Sequence, residues 1–159
     1  MRTPARFGKH PFHPMLVALP IGLFVASFAF DLIHLWKGGQ MWSQLAFYNL
    51  AVGLTGAAVA AIPGFIDYVS LADEKILRVA HWHFGVNVVL LSVYGVDLWL
   101  RIQSRKSGDG GFHLTPFLLS AAAMLLLGLS GWLGGELVFA HGVAVDAEKS
   151  HERNLPARA

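Results

Sequence analysis

Three histidines, His13, His83 and His141, are the residues best suited to chemistry in this chain. Imidazole suits haem iron, zinc and copper, and two imidazoles on facing helices can hold a haem iron axially. The preferred axial pair is His83 with His141, with His13 as its substitute. Asp67, Asn87 and Glu136 lie close enough in register to join the same polar cluster. A second, looser group contains Asp31, His34, Asp97 and Arg101, in which Asp97 and Arg101 stand four apart and are expected to pair along one helix. Two further kinds of chemistry compete with a metal centre. The polar side chains could tie helix ends together without any cofactor, or the histidines and aspartates could pass protons or ions, as intramembrane ionisable residues do in transporters. The chain has no cysteine, which excludes disulfides, thiolate metal sites and iron–sulfur ligation by its own residues. No nucleophile–base spacing and no phosphate-binding glycine loop is present.

The elements that must position these residues are hydrophobic runs. Of the 159 residues 55% are hydrophobic and only 14% charged, about half the charge of an average soluble domain. Four runs, Met15–Trp36, Leu45–Val69, Phe84–Leu100 and Thr115–Phe139, approach the roughly 17–25 residues that cross a bilayer. The fold class is therefore all-α, an integral-membrane four-helix bundle of up-down-up-down topology, over residues 1–145 with a polar cytoplasmic tail over 146–159. The first run carries an internal Asp31 and no clear cleavage site, which argues against a signal peptide. The basic residues flank the runs. They read as topology signals rather than a nucleic-acid surface, with eight Lys and Arg on the side of the termini and four on the other. Both termini are expected in the cytoplasm.

Local signals refine the spans. Pro14 is expected to open the first helix, with His13 at or just before its start, and His10 is expected on the solvent side. Polar residues of the first run share one stripe, His13, Val17, Pro20, Phe24, Ser27, Asp31 and His34, at helical steps of three and four. Pro63-Gly64 predicts a kink near the end of the second helix. Thr115-Pro116 reads as an N-cap followed by a first-turn proline. Small residues in the second and fourth runs suit close helix packing. The runs show no obvious internal repeat, which counts against a transporter. The spacing leaves open whether His81 or His83 faces the bundle.

Placed in such a bundle, His13, Asp67, His83 and His141 all fall at one end. The segments His13-Pro14-Met15-Leu16-Val17 through Pro20-Ile21-Gly22-Leu23, His83 with Asn87, and Gly134-Gly135-Glu136-Leu137-Val138-Phe139-Ala140-His141-Gly142-Val143 resemble the bacterial membrane family catalogued as domain of unknown function 2231. The resemblance covers nearly all four runs and implies a four-helix inner-membrane protein without an established activity. Some family members carry a fused Rieske or cytochrome c-type domain, which implies redox work near a membrane. Many members have a further histidine where this chain has Ala18. The functional expectation is a membrane redox module that binds haem b and passes electrons to a separate partner. A cofactor-free accessory subunit of a larger membrane complex and a proton or ion carrier are the alternatives.

Overall fold

The computed structural model describes residues 3–8, 10–108 and 113–145; the tail over 146–159 lies outside the described residues. A short antiparallel pair, β1 (Arg6–Phe7) with β2 (His10–Pro11), leads into the helices. The first span is α1 (Phe12–Leu16) continued by α2 (Ala18–Lys37). It is followed by α3 (Gln40–Val69), α4 (Glu74–Lys106) and α5 (Leu114–Gly135), and one π-helical turn over Glu136–Ala140 ends the last span. The four apolar spans are 26, 30, 33 and 27 residues long. At about 1.5 Å per residue each exceeds the roughly 30 Å of hydrocarbon.

Helix boundaries depart from the hydrophobic runs for identifiable reasons. The first helix begins at Phe12 rather than Pro14, so His13 is inside its first turn. It is interrupted at Val17 because Pro20 has no N–H to offer the Leu16 carbonyl. The fourth element starts ten residues before Phe84: Asp73 caps it, its carboxylate accepting from Lys75 N–H at 2.9 Å and Ile76 N–H at 3.2 Å. Hydropathy marks where a helix meets lipid, and a polar first turn continues beyond that point. The last helix starts at Leu114 with His113 at the cap position, so Thr115 lies within the first turn instead of capping it. Pro116 is then tolerated there because first-turn N–H groups have no intrahelical partner. Pro63 sits inside an unbroken α3.

Pairs α2–α3 and α4–α5 form two hairpins, which meet along the α3–α4 and α2–α5 seams. The bundle is inverted relative to a soluble one. Many of its buried positions are small or polar, among them Ser27, Asp31, Asp97, Ser120 and Ser130, whereas Leu125, Trp132 and Phe139 point outward. An apolar exterior is what a bilayer solvates, and polar groups gain by facing inward. Midway along the bundle Phe24, Leu50, Leu90, Tyr94 and Ala123 form an apolar plug. Phe24 and Tyr94 stack at its centre with ring centres 4.1 Å apart.

The two hairpins are copies of one another, which corrects the expectation of no internal repeat. A shift of 70 residues relates the paired Asp31 and Arg101. The same shift carries His13 onto His83 and Phe24 onto Tyr94, and these too meet each other. The buried positions Pro20, Phe24, Ser27 and Asp31 of α2 become Leu90, Tyr94, Asp97 and Arg101 of α4. Those of α3, Ala46, Leu50, Gly53 and Ala60, become Pro116, Ser120, Ala123 and Ser130 of α5. A residue that meets its own counterpart lies on a two-fold axis, so an approximate two-fold axis runs along the bundle between the first and third spans. Repeats related by an axis along the membrane normal are a known membrane architecture. The repeat is hidden in sequence because few residues coincide, His13 with His83, Phe47 with Phe117 and Gly64 with Gly134 among them. What repeats is burial and helix spacing rather than residue type.

Candidate functional site

One end of the bundle is built on the axis pair His13 and His83. Each ring lies across a glycine of the neighbouring helix in its own hairpin. A Cβ on Gly64 would sit 2.6 Å from His13 Nδ1, and one on Gly134 would sit 3.2 Å from His83 Cε1. Each imidazole also reaches the carbonyl one turn before that glycine, His13 Nδ1 to Ala60 O at 2.8 Å and His83 Nδ1 to Ser130 O at 3.1 Å. A carbonyl only accepts, so both Nδ1 atoms donate, and the tautomer this selects has its lone pair at Nε2. The rings face each other edge to face with centres 6.5 Å apart.

The two histidines differ at Nε2. Asn87, one turn after His83 on α4, donates through Nδ2 to His83 Nε2 at 3.2 Å and to the His83 carbonyl at 2.7 Å. Ser130 Oγ donates to Asn87 Oδ1 at 3.0 Å, which fixes the amide's orientation. His83, Asn87 and Ser130 thus close a circuit of hydrogen bonds between α4 and α5. The position equivalent to Asn87 in the first repeat is Val17, which has no donor. Among the described residues, none bonds to His13 Nε2.

The other residues expected at this end are close in level but not joined to the pair. Asp67 is buried and accepts the Ala5 backbone N–H at 2.8 Å, so it anchors the segment before α1. His141 follows the π-helical turn and lies 4.0 Å from Glu136, on the last span's own end. The ring partner of His83 is therefore His13, where the sequence favoured His141. His81 turns outward against Tyr68 and donates Nδ1–H to the Leu77 carbonyl, so His83 is the histidine that faces the bundle. His10 is exposed in β2.

The opposite end holds an ion cluster of three helices. Arg101 gives Nη1 and Nη2 to Asp31 at 2.8 and 2.6 Å and Nε to Asp97 at 2.8 Å. Ser120 of α5 donates to Asp97 at 2.7 Å and accepts from Arg101 at 3.2 Å. The Asp97–Arg101 pairing is legible from the four-residue spacing. The bidentate Asp31 contact is not, because it crosses between the two repeats. A cleft of about 40 Å³ beside this cluster is lined by residues that include His34, Arg105 and His113. His34 donates Nδ1–H to the Gly39 carbonyl at 2.9 Å, closing the loop after α2. The Arg105 guanidinium lies 4.0 Å over the Phe47 ring, a cation–π contact at the membrane rim.

No curated protein and no solved structure matches the chain. A family model described as "Predicted membrane protein (DUF2231)" matches residues 9–147. That match takes in all four spans, the axis histidines and the ion cluster, and the chain belongs to this family of membrane proteins.

Proposed function

We propose that the chain is a membrane-embedded redox module that holds haem b, or another transition-metal centre, between its first and third spans and passes electrons to a separate protein. His13 and His83 would hold the group, in place of the His83–His141 pair that the sequence favours. One observation carries this reading: two imidazoles on the bundle axis share a fixed tautomer that leaves Nε2 as the electron-pair donor. A backbone carbonyl on the other ring nitrogen is the usual support of a metal-bound histidine. The two ring centres lie 6.5 Å apart across the axis. Bound haem would supply a one-electron ferric–ferrous couple. The chain's own contribution is to orient the rings, and to keep water out through the Phe24–Tyr94 plug below them. That plug separates the two polar ends and weighs against passage of protons or ions along the axis.

Protein purified from haem-replete cells should show a Soret band that the double substitution His13→Ala with His83→Ala abolishes and His141→Ala leaves in place. A colourless, metal-free preparation would overturn the reading, and one that copurifies with a larger complex would favour a cofactor-free accessory subunit.

We place the protein in a bacterial inner membrane with the histidine end and both termini in the cytoplasm. Arg101 is bound inside the bundle and is not a loop charge, so the count of Lys and Arg becomes eight against three. Reporter fusions at Gly38 and after the last span should report opposite sides, with Gly38 outside. The reverse result refutes this orientation.

A further inference from the structure

The two-fold repeat makes the difference between its halves informative. Every feature that seats His83 has a counterpart that seats His13: the glycine beneath the ring, the carbonyl on Nδ1 and the partner ring across the axis. The exceptions are Asn87, which stands where the first repeat has Val17, and the Ser130 hydroxyl, which stands where it has Ala60. The Asn87 amide engages the Nε2 lone pair of His83, and Ser130 holds that amide in the donating orientation. A lone pair that accepts a hydrogen bond must give it up before it can bind a metal or attack an electrophile.

We propose that Asn87 gates the site, so that His13 is the standing ligand and His83 joins only when the Asn87 amide releases its Nε2. This deepens the metal-binding reading and rests on it for the identity of the ligand. The gate itself is a property of the two imidazoles. Asn87 acts here as a positioning residue. Its amide also bonds the His83 carbonyl of its own helix turn. The site therefore has two states, one imidazole available or two, set by a side-chain rotation rather than a helix movement.

The full-length protein in lipid nanodiscs can be pulsed with diethyl pyrocarbonate, which acylates unprotonated imidazole nitrogen, and each histidine can be followed by peptide mass spectrometry. His13 should react roughly tenfold faster than His83, about the worth of one amide hydrogen bond. Asn87→Val should bring His83 up to the His13 rate. Ser130→Ala, which removes only the hydroxyl that orients the amide, should raise it part of the way. Val17→Asn installs the missing amide without touching α4 and should slow His13. Equal rates in the wild type, or no response to Val17→Asn, overturn the gate. Titration with hemin separates this from the parent reading. Asn87→Val should convert a one-imidazole spectrum into the low-spin spectrum of two axial imidazoles. If hemin binds neither protein while His13 still outreacts His83, the metal reading falls and the gate stands.

Discussion

Arg101→Leu is expected to lower the stability of the bundle by about 3–5 kcal/mol, the usual cost of removing one partner from a buried ion cluster. The Arg101 side chain is 11% exposed and touches carboxylates that are 6% and 0% exposed. Without the guanidinium, Asp31 and Asp97 are left close together with Ser120 as the only other hydrogen-bond donor to either carboxylate among the described residues. The loss is mainly the cost of stranded charge, so it should be reversible by removing that charge. Asp31→Asn with Asp97→Asn in the Arg101→Leu background should recover most of the deficit, since apolar or neutral substitutes for a buried ion cluster are often no worse than the cluster itself. Reversible unfolding in mixed micelles measures both. An Arg101→Leu protein within about 0.5 kcal/mol of wild type, the range of an ordinary surface change, would show that the cluster is solvated.

Gly64→Ala should be the most damaging of the glycine substitutions, because the added Cβ would lie 2.6 Å from His13 Nδ1 and 2.8 Å from Cε1. The ring would have to leave the Ala60 carbonyl or push α1 away from α3. Overpacking of this kind costs about 1–3 kcal/mol, against a gain of up to about 1 kcal/mol from alanine's better helix propensity. Gly134→Ala meets His83 at 3.2 Å and should be milder, and Gly128→Ala meets nothing within 4 Å and should be neutral or stabilising. Gly64→Ala should also reduce whatever depends on His13 placement, including its acylation rate relative to His83. If Gly64→Ala and Gly128→Ala behave alike, the ring does not rest on Gly64.

Much of this molecule is written locally. Apolar runs long enough to span a bilayer specify four helices and an outward apolar surface, because the bilayer demands internally satisfied backbone and lipid-facing side chains. Helical spacing placed His13, Pro20, Phe24, Ser27, Asp31 and His34 on one stripe, and five of these are buried or half-buried against the other spans as that stripe requires. His34 is buried as well, so the whole stripe turns inward. The Asp97–Arg101 pair follows from one turn of helix. Chain order also brought His13, Asp67, His83 and His141 to one end, since alternate spans run in opposite directions.

What tertiary structure alone decided is which of these residues meet. Helix spacing gives a direction around each axis but not the rotation of one helix relative to another. It could not choose between His81 and His83, or between His141 and His13 as the partner of His83. Packing of His83 on Gly134 and of His13 on Gly64 makes those choices, because each ring occupies space that a Cβ would fill and from there reaches the carbonyl one turn before the glycine. The two-fold repeat belongs to the same class. It is carried by buried positions 70 residues apart whose side chains have diverged, as in Asp31 and Arg101, so that their equivalence is visible only where they touch.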